Sequence, residues 1–408
     1  MKFSELKLNN QLLEAISYMG FETATAVQEK VIPIILQNRD VIACAQTGTG
    51  KTVAFVLPIL NKLIGKNNKS IDTLIIVPTR ELAIQIEQEI QGLAYFVSVG
   101  SNTVYGGGDG KDWVIQKDAL HGGTDIIVAT PGKLLSHILS GNVNFSNLKH
   151  LVLDEADRML DMGFIDDLQK IISYLPKKHQ TLLFSATMPK SIRQLAKKIL
   201  HSPLEVSISI SKPAEGIDHK AYLSYDTQKT KILCHVLNEH KDYDSIIIFC
   251  STKSKVVEIV RSLNRVGLKA HGISSNLDQN KREEVLMGFR SKQIRILVAT
   301  DVMSRGIDVK EINMVVNYEV PNDAEDYVHR VGRTARVNAK GEAITLVNEK
   351  DMFMLAKIEQ LIEYSIPKFQ PPGKIGLGPE WNEGKTKSQK KRNFHNKKRH
   401  FKRPNKKK

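Results

Sequence analysis

The sequence predicts an α/β protein built on parallel sheets, and three features carry that prediction. First, short uninterrupted apolar runs recur, among them Leu74-Ile75-Ile76-Val77, Ile126-Ile127-Val128-Ala129, Leu151-Val152-Leu153 and Leu182-Leu183-Phe184. Strands without polar alternation are buried on both faces, the condition of a parallel sheet covered by helices. Second, each run closes on small or polar residues and gives way to sequence of helical spacing, as in strand–helix–strand units. Third, Ala45-Gln46-Thr47-Gly48-Thr49-Gly50-Lys51-Thr52 lies between the run Val41-Ile42-Ala43-Cys44 and a helical pattern formed by Val53, Val56, Leu57 and Leu60. In such sheets ligands gather at the carboxyl ends of the strands.

Taken in order, the chain opens with Leu8, Leu12, Leu13 and Ile16 at helical spacing, a pattern that ends at Gly20-Phe21. The strand–helix rhythm then runs until a Ser- and Ile-rich stretch from about Val206 to Ile217, with Pro213 and Gly216, which reads as a linker. It resumes with Ile246-Ile247-Ile248-Phe249, Ile296-Leu297-Val298, Met314-Val315-Val316 and Ala343-Ile344-Thr345-Leu346-Val347. Ile127-Val128-Ala129-Thr130 is echoed by Leu297-Val298-Ala299-Thr300, which suggests two domains of related design. Past Tyr364 the periodicity is lost. Gln370-Pro371-Pro372-Gly373 and Gly376 to Pro379 read as a flexible connector, and the Lys/Arg-rich remainder as disordered when free. The expected divisions are an N-terminal segment 1–28, a first domain 29–206, a linker 207–217, a second domain 218–366 and a tail 367–408.

Composition narrows the function. The 408 residues carry a net charge of +15, which points to a polyanionic partner. The stretch 382–408 holds thirteen Lys/Arg and one acid, Glu383, so it supplies +12 of that charge and the body is nearly neutral. Cys44, Cys234 and Cys250 show no zinc or CxxC spacing and are expected to be buried structural thiols in a reducing compartment. The N-terminus lacks a signal-like apolar core and no run is long enough to span a membrane. A soluble, cytoplasmic protein without membrane contact is expected.

The glycine-bearing segment is suited to a nucleoside triphosphate. Small residues let backbone N–H groups converge on phosphates at a helix N-terminus. Lys51 can reach the β/γ-phosphates and Thr52 can ligate Mg²⁺, although Ala45 stands where the usual pattern opens with Gly. Asp154-Glu155-Ala156-Asp157 directly follows an apolar strand. An acid at a strand end holds Mg²⁺ in phosphoryl-transfer sites, which assigns Asp154 to the metal; a second carboxylate beside it, Glu155, can orient and deprotonate the attacking water.

With these elements in view, residues 1 to about 365 resemble the DEAD-box ATP-dependent RNA helicases. The tail position and the segment His329-Arg330-Val331-Gly332-Arg333-Thr334-Ala335-Arg336 look most like the bacterial RhlE-type subgroup. Phe3, Phe21, Thr25 and Gln28 resemble the family's adenine-reading segment, where an amide can accept from and donate to the base edge together. The resemblance implies two RecA-like domains in tandem, with ATP and Mg²⁺ as cofactors. It implies that Pro78, Thr79, Arg80, Gly106, Gly107, Thr130, Pro131, Gly132, Thr300 and Arg305 grip the RNA backbone, which positions without reading sequence. Ser185-Ala186-Thr187, Asp157 and His329 resemble coupling elements, and Asp308 a residue that completes the nucleotide site. Ile248-Phe249-Cys250 and Gln279-x-x-Arg282 match as well. Arg333 and Arg336, three apart and so expected on one helical turn, match the arginines that the family brings to the γ-phosphate.

The departures are Ala24 and Ala26 where many relatives have Pro, Lys133 where Arg is usual, and Ala335 for a common Gly. In the tail, Phe394, His395, His400 and Phe401 interleave with the cations and could stack on bases, so the tail is expected to tether RNA non-specifically. Ribosomal or degradosome-type proteins are further partners compatible with a sequence-blind core.

Overall fold

A computed structural model describes residues 1–45, 48–66, 70–107, 110–121, 123–208, 216–273, 277, 279–300, 312–334 and 341–382. The chain divides into two compact units, with the boundary between residues 211 and 212.

The first unit holds β1 (Val41–Cys44), β2 (Thr73–Ile76), β3 (Ser101–Val104), β4 (Ile126–Ala129), β5 (His150–Leu153), β6 (Gln180–Ser185) and β7 (Leu204–Ser207). They form one sheet in the order β3-β4-β2-β5-β6-β1-β7, every pairing parallel. Successive residues of a strand face opposite sides. Val41 and Ala43 accordingly join one apolar core and Ile42 the other, while Ile75 separates from Leu74 and Ile76 in the same way. Helices α1 (Asn10–Tyr18), α2 (Ala26–Leu36), α3 (Lys51–Leu63), α4 (Arg80–Leu93), α5 (Gly110–His121), α6 (Pro131–Leu139), α7 (Ala156–Asp161), α8 (Ile165–Ser173) and α9 (Lys190–Ile199) cover the faces. Their starts are chemically marked: Thr79 Oγ1 accepts from Leu82 N at 3.3 Å to cap α4, and Pro131 opens α6, where its missing N–H costs nothing.

The second unit repeats the plan. Its strands are β8 (Ile217–Leu223), β9 (Ile246–Phe249), β10 (Ala270–Ile273), β11 (Ile296–Ala299), β12 (Met314–Asn317), β13 (Gly341–Val347) and β14 (Lys368–Phe369), and their order is β10-β11-β9-β12-β13-β8-β14. Position by position this is the first sheet again, so the echo between Ile127–Thr130 and Leu297–Thr300 falls on equivalent strands, β4 and β11. The backbone agrees: Val77 N donates to Ala129 O at 2.9 Å, and in the equivalent place Cys250 N donates to Ala299 O at 3.0 Å. Helices α10 (Asp226–Glu239), α11 (Lys253–Arg265), α12 (Gln279–Arg290), α13 (Ala324–Val331) and α14 (Met352–Ile362) accompany it.

Three expectations are corrected. Ile217 belongs to β8, not to the linker. The expected connector at 370–379 is a strap on the second domain, which extends to Asn382 beyond the expected limit at 366. β14 pairs with β8, Lys368 beside Ala221 and Phe369 beside Tyr222. The Gln228 amide donates to the carbonyls of Gly376 and Leu377 at 3.2 and 3.1 Å, Gly378 N donates to Gln370 Oε1 at 2.9 Å, and the Lys368 ammonium lies 4.4 Å from the Trp381 ring centre. Gly378 crosses so close that an added Cβ would sit 2.0 Å from Leu223 O. A segment held by cross-chain bonds needs no periodicity of its own. Of the cysteines, Cys250 is buried while Cys44 and Cys234 are only half-buried.

Candidate functional site: a phosphate loop and its neighbours

The chemistry collects at the carboxyl ends of the first sheet. β1 runs into the loop, Gly48 and Gly50 take φ of 85° and 84°, and α3 starts at Lys51. Such values favour glycine because a Cβ would crowd the following carbonyl. Lys51 is buried, and its ammonium has no hydrogen-bond partner among the described residues. A buried cation at a helix start, aimed from a loop of small residues, matches the donor set that a triphosphate needs. Thr52 stands in the first turn of α3, while Gln46 and Thr47 lie outside the described residues.

The N-terminal segment is tied to this loop. Thr25 Oγ1 donates to Thr49 O at 2.8 Å, Gln28 Nε2 donates to Gly50 O at 3.1 Å, and Gln28 Oε1 accepts from Thr25 N at 2.9 Å. The Gln28 amide thus braces the loop through one N–H and one lone pair, which leaves its second N–H and second lone pair for another partner. Phe3 is corrected outright: it is buried in the core with Leu6 and cannot offer its ring to a ligand. Phe21, 39% exposed, can.

Two strands along the edge, past β6, β5 delivers Asp154 and Glu155, both buried. Burial pushes the Asp154 carboxyl up to about 6, opposed by the charge of Lys51 and reinforced by Glu155 and Asp157. A carboxylate that costly to ionise gains from a cation beside it. Among the described residues no cluster of three or more ligating side chains exists. Glu155 takes φ 51°, uncommon for a residue with a side chain, and Arg158 Nη1 lies 2.9 and 2.8 Å from its two carboxylate oxygens. Arg158 was not singled out by sequence; its signal is the i, i+3 spacing from Glu155.

The acidic quartet and the Ser-Ala-Thr turn are joined directly. Asp157 N donates to Ser185 Oγ at 3.2 Å, Ser185 Oγ donates to Thr187 O at 2.7 Å, and Thr187 N donates to Asp157 Oδ2 at 2.9 Å. The loop is attached too, since Ala45 N donates to Ser185 O at 3.0 Å and Cys44 Sγ to Ala186 O at 3.3 Å.

The expected RNA-gripping residues of this domain follow β2, β3 and β4, on the other half of the same edge. Pro78, Thr79 and Arg80 lead into α4, and the Arg80 guanidinium lies 4.4 Å from the Tyr105 ring centre. Gly106 and Gly107 follow β3; Thr130, Pro131 and Gly132 open α6. Neither Gly106 nor Gly132 has a positive φ or a neighbour within 4 Å of an added Cβ. The chain itself does not require glycine there. Lys133, the departure from Arg, sets its ammonium 4.5 Å from the Trp113 ring centre, and Trp113 stacks on His137 at 3.8 Å.

In the second domain Thr300 follows β11 as Thr130 follows β4, Gln279 and Arg282 lie in α12, and His329 lies near the end of α13, 4.0 Å from Asp326. Arg333 is buried and lies just past α13, which stops at Val331, and Thr334 bonds Ile312 O and bridges to Ile312; the expected pairing of Arg333 with Arg336 on one helical turn reaches outside the described residues. Arg305, Asp308 and Arg336 lie outside the described residues.

A phosphate loop after β1, an acidic pair after β5 on the same sheet edge and a second sheet of the same order define a two-domain P-loop nucleoside triphosphatase of the helicase type. The comparisons agree. The DEAD/DEAH box helicase model matches residues 25–195, and the helicase conserved C-terminal domain model residues 228–338. The ATP-dependent RNA helicase CshA of Listeria monocytogenes is 41% identical over 372 residues, covering 91% of this chain and 71% of the relative. The ATP-dependent RNA helicase DeaD of Haemophilus influenzae is 40% identical over 377 residues, covering 92% and 61%. Among solved structures, S. cerevisiae Dbp5 bound to RNA and ADP BeF3 superposes with a TM-score of 0.81 at 30% identity, covering 90% of this chain and 95% of that one. The chain belongs to the DEAD-box ATP-dependent RNA helicases.

Proposed function

We propose that this helicase separates short RNA duplexes locally and without regard to sequence, hydrolysing ATP only when RNA is bound. The observation that carries the reading is the hydrogen-bonded ring of Asp157, Ser185 and Thr187, which joins the acidic quartet to the turn beside it on an edge that also bears the expected RNA-gripping residues. In this reading Lys51 holds the phosphates, Thr52 and Asp154 hold Mg²⁺, and Glu155 positions the attacking water. When bound, Mg²⁺ offsets charge building on the transferred phosphoryl group. Arg333 and Arg336 complete the site on closure, Asp308 helps to complete it, and His329 serves the coupling. Pro78, Thr79, Arg80, Gly106, Gly107, Thr130, Pro131, Gly132, Thr300 and Arg305 hold the strand. Open space beside Gly106 and Gly132 supports close approach of a sugar–phosphate backbone.

The tail as tether, an RhlE-type placement, a cytoplasmic site of action and roles in ribosome assembly or RNA decay belong to the same proposal. The relatives found carry the names CshA, DeaD and RhpA. Among the described residues no helix is long and apolar enough to cross a membrane.

The test measures ATP hydrolysis with RNA, with matched DNA and without nucleic acid, beside strand displacement, for the wild type and Arg333→Ala/Arg336→Ala. RNA-specific stimulation that the double change abolishes is expected. Turnover indifferent to RNA or to the arginines overturns the reading, and hydrolysis without displacement makes the protein an ATP-locked clamp.

A further inference from the structure

The first domain carries a cleft at the edge opposite the nucleotide edge. It encloses about 800 Å³ at the amino ends of β1, β5 and β6, and its lining includes Arg39, Lys62, Lys66, Lys149, Lys177 and Lys178. Lys51, Asp154 and Ser185 lie at the other ends of these strands, roughly 13–20 Å away for strands of four to six residues.

The acids nearby are already committed. Asp40 accepts from Thr181 N at 2.9 Å and from His201 N at 2.7 Å. Asp72 holds His150 at 2.9 Å and both Lys66 and Lys149 at 3.3 Å. Part of the basic charge has a structural duty: Lys62 donates to Ile35 O at 2.6 Å in the last turn of α2, to Asn38 Oδ1 at 2.7 Å and to Gln180 Oε1 at 3.0 Å, where a cation complements the helix C-terminus. Lys149 is held by Asp72, and neither account reaches Lys177 and Lys178, which belong to no helix. Lys177 and Lys178 are exposed in the turn before β6. Burial, with a smaller contribution from the neighbouring Lys66, holds the Lys62 ammonium down to about 8, and a bound anion would favour its charged form.

We propose that this cleft is a second RNA site, which holds the phosphodiester backbone of RNA lying outside the segment gripped at the nucleotide edge. The ligand follows from the lining. Leu36 is the apolar side chain there among the described residues, no Phe, Tyr or Trp lines it, and His179 and His201 are the rings a base could meet beside the six cations, so the contacts are chiefly ionic and sequence-blind. The substrate of a helicase is long enough to reach both edges, and an open, six-cation cleft accepts a chain of phosphates rather than one enclosed anion.

The test uses the full chain with Lys177→Glu/Lys178→Glu. Its control is Lys231→Glu/Lys241→Glu, which changes the charge equally at exposed positions of the second domain. Binding of a short and a long single-stranded RNA is followed over a salt series, together with ATP turnover on the short RNA. The cleft variant is expected to bind long RNA about tenfold more weakly at low salt, with a salt slope shallower by about 1.4 for two lost phosphate contacts. Its short-RNA binding and turnover should match the wild type. An equal loss in the control reduces the effect to net charge and overturns the proposal, as does unchanged long-RNA binding. Competition separates the sources: inorganic phosphate should not displace long RNA, whereas preferential binding of poly-glutamate that the cleft variant loses assigns the cleft to acidic protein. Failure of RNA-stimulated turnover in the wild type would count against the helicase reading, not against this cleft.

Discussion

Arg158→Ala is expected to destabilise the first domain by about 3–5 kcal/mol, the range for removing one partner of a buried ion pair. The structure sets the size. The Arg158 and Glu155 side chains are 4% and 7% exposed, and the guanidinium nitrogen stands 2.8–2.9 Å from both carboxylate oxygens. Its removal leaves a carboxylate desolvated beside two more acids, Asp154 and Asp157. The two tryptophans make the measurement domain-specific, since Trp113 lies in the first unit and Trp381 in the second. In a Trp381→Phe background, Trp113 fluorescence in a urea titration reports the first domain alone, and a shifted midpoint at constant slope gives the loss. Glu155→Gln closes the double-mutant cycle: with the charge gone, Arg158→Ala should cost at least about 2 kcal/mol less. A loss under about 1 kcal/mol in the charged background, or equal losses in both, refutes the argument that this pair holds Glu155 in place.

Gly50→Ala should abolish nucleotide binding, because its φ of 84° costs a side chain about 1–2 kcal/mol and the new Cβ would lie 2.4 Å from Gln28 Nε2; fluorescent-nucleotide titration checks it, and binding within twofold of wild type contradicts the brace. Gly132→Ala should leave thermal stability equal or raise it by up to about 1 kcal/mol, since the position is helical and open, while weakening RNA binding. Anisotropy with labelled RNA beside a melting curve separates the two effects. The raised Asp154 carboxyl gives a pH dependence with a definite sign. Its folded value of about 6 lies above the ordinary 3.8, so its contribution to folding becomes more favourable as pH falls through 6, whereas metal binding must displace the proton. The Mg²⁺ needed for half-maximal nucleotide binding should rise about tenfold per pH unit below 6, beyond the rise seen with Asp154→Asn. Equal pH profiles for the two proteins would exclude Asp154 as the ligand.

What the sequence conceals about the fold is systematic. The interior strands β2, β4, β5, β6, β9, β11, β12 and β13 are buried along their whole length and stand out as apolar runs. The edge strands β3, β7, β10 and β14 do not. Ser101-Asn102-Thr103-Val104 and Lys368-Phe369 have one neighbour each, face solvent and need no apolar run to hold them. β8 escapes for a related reason: its outer partner is the two-residue β14, and its burial alternates. Half-exposed strands share their composition with loops, so the strap at 370–382 read as a connector.

The site divides along a similar line. Lys51, Asp154 and Glu155 were legible because their chemistry demands those residue types at a strand end. Gln28 and Ser185 were legible only by resemblance, because a side chain that bonds backbone leaves no pattern in composition. Their bonds nevertheless decide how the site can move. Ser185 holds Asp157 through its hydroxyl and Ala45 through its carbonyl, and Thr187 returns a bond to Asp157. The phosphate loop, braced on its far side by Gln28, is therefore fastened to the same turn as the acidic quartet. A shift of Asp157 on phosphate binding must either break two hydrogen bonds of roughly 1 kcal/mol each or carry residues 185–187 with it. Carrying the turn costs less wherever the turn can move, and Ser185→Ala removes one of the two bonds that would drag it, together with the Ser185 hydroxyl's bond to Thr187 O, while leaving every group assigned to the phosphates in place. Hydrolysis without RNA should then persist as RNA stimulation falls. Equal loss of both rates would show that the serine serves the nucleotide site alone.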